Sequence, residues 1–122
     1  MFVLDTNTLI YFFKGQGRVA GHLLGISPRE VGIPAIVLYE LELGIARSNQ
    51  PRKRRSQLDA MLGAVSVLPF DREAARHAAE LRVTLETGGK PIGPMDTLIA
   101  ATALAAHGVL VTHNTKEFSR VK

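Results

Sequence analysis

Acidic residues recur in this chain where apolar segments end. Asp5 follows Phe2-Val3-Leu4 directly and opens Asp5-Thr6-Asn7-Thr8. Glu40 and Glu42 stand together in Tyr39-Glu40-Leu41-Glu42-Leu43-Gly44. Asp96 lies at the head of the most hydrophobic stretch, Gly93-Pro94-Met95-Asp96-Thr97-Leu98-Ile99-Ala100-Ala101. Asn114 and Glu117 follow the last apolar triplet, in Thr112-His113-Asn114-Thr115-Lys116-Glu117-Phe118. Taken singly, each has an ordinary structural role. Asp5 can cap a helix, Asp96 can sit at a helix dipole's positive end for about 0.3–1 kcal/mol, and Glu117 can pair with Lys116 or Arg120 at the surface. Glu40 is harder to place that way. On a helix of about 3.6 residues per turn it shares a side with Ile36, Val37, Leu41 and Gly44, whereas Glu42 projects about 200° away and reads as a surface residue. An inward-facing glutamate needs a cation or hydrogen-bond donors.

The chemistry open to such a set is narrow. The chain has no cysteine, and His22, His77, His107 and His113 lack ligand spacing. Carboxylate oxygens without thiolates or clustered imidazoles select hard cations such as Mg²⁺ or Mn²⁺. Those ions activate water and stabilise charge on a phosphoryl group. Competing motifs are missing: no Gly-x-Ser-x-Gly elbow, no His-Glu-x-x-His, no Gly-rich loop ending in Lys-Ser/Thr. A phosphatase would want Asp-x-Asp, and Asp5-Thr6-Asn7 lacks the second acid. The formal charge of +4, from 15 Lys plus Arg against 11 Asp plus Glu, suits a polyanionic partner. Arg52, Lys53, Arg54 and Arg55 are consecutive with Arg47 nearby; they read either as phosphate contacts for RNA or as a solvated helix face.

Short apolar runs that alternate with helical patterns must position these groups. Phe2–Leu4, Val31–Ile33, Ser66–Leu68 and Val109–Val111 are the candidate strands. A helix follows the first of them and ends at Gly15 and Gly17, and a second short one covers Val19 to Leu24. Pro34 is expected as the first residue of a helix to Arg47. Pro51 opens another, with Leu58, Met61, Leu62 and Val65 as its apolar stripe. Asp71 caps a helix reaching Gly88-Gly89. Pro94 begins one buried around most of its circumference and ended by Gly108. This alternation predicts a parallel sheet covered on both faces, with ligands at the carboxyl ends of the strands. The acids occupy those places.

In sequence order, Phe2-Val3-Leu4-Asp5-Thr6-Asn7, Tyr39-Glu40-Leu41-Glu42-Leu43-Gly44, Pro94-Met95-Asp96-Thr97-Leu98-Ile99-Ala100 and Leu110-Val111-Thr112-His113-Asn114-Thr115-Lys116-Glu117-Phe118 resemble the four acidic regions of PIN-domain ribonucleases, in particular the VapC-like toxins of type II toxin–antitoxin (VapBC) systems. The resemblance implies a three-layer α/β/α fold with a short central parallel sheet, in one domain over residues 1–122 that stops before the family's usual final edge strand. It implies an Mg²⁺- or Mn²⁺-dependent endoribonuclease that cuts tRNA or other structured RNA, forms a homodimer and is neutralised by a VapB-like antitoxin. Asp5, Glu40 and Asp96 take the metal and catalytic positions. Thr6 and Thr112 are expected to support the acids through hydrogen bonds, with Asn7 beside them. Asn114 stands where many PIN domains carry aspartate, which leaves Asn114 as a ligand or Glu117 as the fourth acid.

Composition agrees with these bounds. A chain of 122 residues fits one domain with a real core. No apolar run approaches the roughly 18 residues of a membrane span, and Met-Phe-Val-Leu-Asp is not expected to begin a secretory signal. Absence of cysteine is compatible with a reducing cytoplasm, the expected location. The rival reading is a catalytically weak PIN-like module that binds nucleic acid or protein; loss of acids would mark it, and Asp5, Glu40 and Asp96 are all present.

Overall fold

Four apolar runs of three or four residues form one parallel sheet. In the computed structural model, which describes residues 1–15 and 25–112, they are β1 (Phe2–Leu4), β2 (Val31–Pro34), β3 (Ser66–Leu68) and β4 (Val109–Val111). Helix α1 (Thr6–Phe13) follows β1, and α2 (Ala35–Arg47) and α3 (Pro51–Leu62) join β2 to β3. Helices α4 (Arg72–Thr87) and α5 (Pro94–Ala105) lead from β3 to β4. The strand order is β3-β2-β1-β4, every pair parallel, in the three-layer α/β/α arrangement expected from the alternation of strands and helices. The expected helix at Val19–Leu24, together with Gly17, His113, Asn114 and Glu117, lies outside the described residues. Among the described residues no helix is long and apolar enough to cross a membrane.

The core sits where the central strands meet α1, α2, α3 and α5. Val3, Leu4, Leu9, Ile33, Val37, Leu58 and Ile99 are each no more than 1% exposed, and burial of such side chains stabilises by about 1.5–3 kcal/mol apiece. Helix α5 buries Thr97 and every residue from Ile99 to Ala103. Its two core threonines are satisfied within the helix: Thr97 Oγ1 donates to Gly93 O and Thr102 Oγ1 to Leu98 O.

Three boundaries differ from the sequence-based expectation. Pro34 is the last residue of β2 and caps α2 rather than starting it. Its φ of −57° and ψ of 143° are extended, and it pairs with Leu68 of β3, so sheet pairing outweighs its preference for a first helical turn. Val65 falls beyond α3, which ends at Leu62, although it still packs against the core. Helix α5 closes in a Schellman motif whose left-handed residue is His107, at φ 54°. Here Gly108 N–H donates to Ala103 O and His107 N–H to Leu104 O. Gly108 serves another purpose: a Cβ there would lie 2.6 Å from Val3 Cγ2 and 3.2 Å from Met1 O, where Val109 N–H already bonds Met1 O at 2.9 Å. Gly108→Ala is therefore expected to destabilise the chain by about 1–3 kcal/mol through overpacking. The drop should appear as a lower urea midpoint at unchanged slope, and an unshifted midpoint would show that β4 moves aside freely.

Candidate active site

The chain winds from β1 through β2 to β3 at one edge, then returns to lay β4 against the other side of β1. The direction of winding reverses between β1 and β4, and in open parallel sheets a crevice forms outside the carboxyl ends of such a pair. Asp5 is the first residue after β1, and Thr112 the first after β4. Helix α2 starts directly after β2, at that strand's carboxyl end. Helix α5 turns into the amino end of β4 through residues 106–108, which leaves the start of α5 at the far end of that helix from the amino end of β4. Glu40 is on the second turn of α2 and Asp96 in the first turn of α5.

Asp5 is only 3% exposed and is held on both oxygens. Its Oδ1 accepts the N–H of Thr8 at 2.9 Å, capping α1, and its Oδ2 accepts the hydroxyl of Thr112. Thr8 is fully buried and donates its own hydroxyl to Val111 O at 3.2 Å. Glu40, half-buried, accepts the Thr6 hydroxyl on Oε1 at 2.7 Å. Glu40 is thus tied to the residue that follows Asp5 in the chain. Asp96 is half-buried, and a Cβ on Gly93 would sit 3.8 Å from its Oδ2, so the carboxylate leans back over the helix N-terminus. Asn7 is exposed. The sequence reading missed Thr8; the Asp-x-x-Thr spacing of a capped helix start was its available signal.

Among the described residues no three His, Asp or Glu side chains approach closely enough to hold a metal ion together. The donor set itself suits a hard cation. A carboxylate offers about four lone-pair positions, and each Asp5 oxygen uses one on its threonine partner.

Glu42 lies at the surface, away from these groups. Its carboxylate takes two hydrogen bonds from Arg55, at 2.5 and 2.8 Å. That contact with the Arg55 guanidinium holds the Glu42 carboxyl below the usual carboxylate range and raises Arg55. The basic run is therefore divided. Arg55 is engaged by Glu42, Arg52 and Lys53 are exposed, and Arg54 is half-buried against Gln57.

The PIN domain family profile matches residues 2–122. This chain belongs to the PIN-domain family. Within it, the chain stands with the VapC-like members. It is 32% identical over 120 residues to the tRNA(fMet)-specific endonuclease VapC of Shigella flexneri, covering 98% of this chain and 91% of that one. Among solved structures, VapBC2 from Rickettsia felis bound to a promoter DNA fragment matches with a TM-score of 0.89 and 34% identity, over 98% of this PIN domain and 91% of that chain. DNA-bound VapBC from Salmonella typhimurium matches with a TM-score of 0.90 and 33% identity over the same shares. In this PIN domain the switch point between β1 and β4 is thus occupied by a buried, doubly held aspartate.

Proposed function

We propose that this PIN domain is a metal-dependent endoribonuclease acting on tRNA or other structured RNA, as the toxin of a toxin–antitoxin pair. The observation that carries the reading is the placement of the buried Asp5 carboxylate at the switch point of the sheet, with Glu40 tied to the same turn through Thr6. The two hydrogen bonds and the helix cap account for part of the cost of burying this carboxylate. No cation pairs with it among the described residues, however, and a buried charge calls for one. The naming of the Shigella flexneri relative as a tRNA-specific endonuclease supports the substrate class, and the VapBC structures support a VapB-like partner.

Asp5, Glu40 and Asp96, with Asn114 or Glu117, would hold Mg²⁺ or Mn²⁺ in part through the ion's own waters, because no three of the described acids stand close enough to share it directly. When bound, such an ion supplies an activated water and charge stabilisation for phosphodiester hydrolysis. The chain's own residues orient the acids: Thr8 N–H and Thr112 Oγ1 fix the Asp5 carboxylate in its plane, and Thr6 Oγ1 fixes Glu40. A homodimer in the cytoplasm is part of the same proposal. The purified chain should cleave tRNA with added Mg²⁺ or Mn²⁺ and stop on addition of EDTA. Cleavage that persists in EDTA overturns the metal-dependent mechanism, and RNA binding without cleavage in any divalent ion would favour the non-catalytic binding module.

A further inference from the structure

A second concave surface opens beside Glu40, between α1, α2 and α3. It encloses about 310 Å³ and is walled by Phe13, Leu41 and Leu58, with Glu40, Lys14 and Arg54 as its charged members. Arg54 is held there by a relay across two helices. Gln57 Nε2 donates to the Phe13 carbonyl at the end of α1, at 3.4 Å, and Arg54 Nη1 donates to Gln57 Oε1 at 3.1 Å. One of the guanidinium's five N–H donors is used by that amide. Among the described residues neither Arg54 nor Lys14 has an ion-pair partner, whereas the adjacent Arg55 is bound to Glu42.

We propose that this cleft receives the RNA strand next to the scissile bond, with Lys14 and Arg54 contacting backbone phosphate and Gln57 as the positioning residue of Arg54. The proposal rests on the endoribonuclease reading and adds to it the path of the substrate. A planar guanidinium fixed by a neutral amide is preorganised for phosphate oxygens. The two cations outnumber the single carboxylate of the cleft. The apolar walls suit a ribose and base, and the volume is near the lower end of ordinary ligand sites. Such contacts position the strand without reading sequence.

Binding of a short fluorescent single-stranded RNA, read by anisotropy in EDTA across a salt series, tests this without relying on turnover. Lys14→Gln and Arg54→Gln are each expected to weaken binding roughly tenfold, and to reduce the log–log salt slope by about 0.7 for each phosphate no longer neutralised. Gln57→Leu should weaken it too, but should add nothing to Arg54→Gln, because its effect passes through Arg54. Arg54→Lys should retain part of the affinity, and Arg52→Gln should cost less than either cleft cation. Thermal midpoints of all variants distinguish unfolding from weakened binding by a folded chain. Unchanged affinity and slope for Lys14→Gln and Arg54→Gln overturn the proposal, also if those variants lose a protein partner instead. Failure of the wild-type chain to cleave RNA with Mg²⁺ would instead count against the nuclease reading, in a separate measurement.

Discussion

Asp5→Asn is expected to leave the fold in place and to lower RNA cleavage by roughly a thousandfold, about 4 kcal/mol of transition-state stabilisation. The amide keeps the shape of the carboxylate, and its oxygen can still accept the Thr8 N–H that caps α1. On the other side the Thr112 hydroxyl can rotate to accept from the new NH₂, so both hydrogen bonds persist in altered polarity. Only the charge is removed, and it is removed where a hard cation would need it most. Asp5→Ala should behave differently, because it also removes the cap, which costs about 0.5–2 kcal/mol. Cleavage rates of both variants beside their urea midpoints make the comparison. An Asp5→Asn protein that is stable and cleaves at the wild-type rate would remove Asp5 from the reaction.

The second large effect separates two glutamates two residues apart. Glu40→Gln should reduce cleavage by roughly a thousandfold, whereas Glu42→Gln should change it by no more than about twofold, as removal of a surface ion pair does. Glu40 is tied to Thr6 beside Asp5, while Glu42 is turned toward Arg55 on α3. Both substitutions are isosteric and on one helix, so a general effect on α2 would appear in both. Equal losses of activity would mean that the face of α2 does not decide which acid is used.

The inward position of Glu40 was legible because helical periodicity needs only sequence spacing. All four strands were legible for a similar reason: short apolar runs flanked by turn residues have few other uses. The adjacency of β4 to β1 was not legible. It is set by packing across almost the whole chain, and no local pattern in Val109–Val111 encodes which strand it joins. The pairing of Arg55 with Glu42 was hidden likewise, since it crosses from α3 to α2; four consecutive cations look equivalent until tertiary structure gives each a direction. His107 shows the limit of residue statistics. Glycine is the usual left-handed terminator, but Gly108 is needed one position later for its close approach to Val3, and histidine takes the strained place.

The hydrogen bond from Thr112 to Asp5 spans 107 positions of sequence, and this sets an order of events during synthesis. Chains emerge from the ribosome amino end first, and pairings between distant segments close late. Helix α1 and its capping aspartate can form early, yet the aspartate's second partner is translated long afterwards. A nascent or prematurely terminated chain that lacks β4 therefore presents Asp5 half-held and with its burial incomplete. On the endoribonuclease proposal, such timing would delay full assembly of the acidic centre until β4 has left the ribosome.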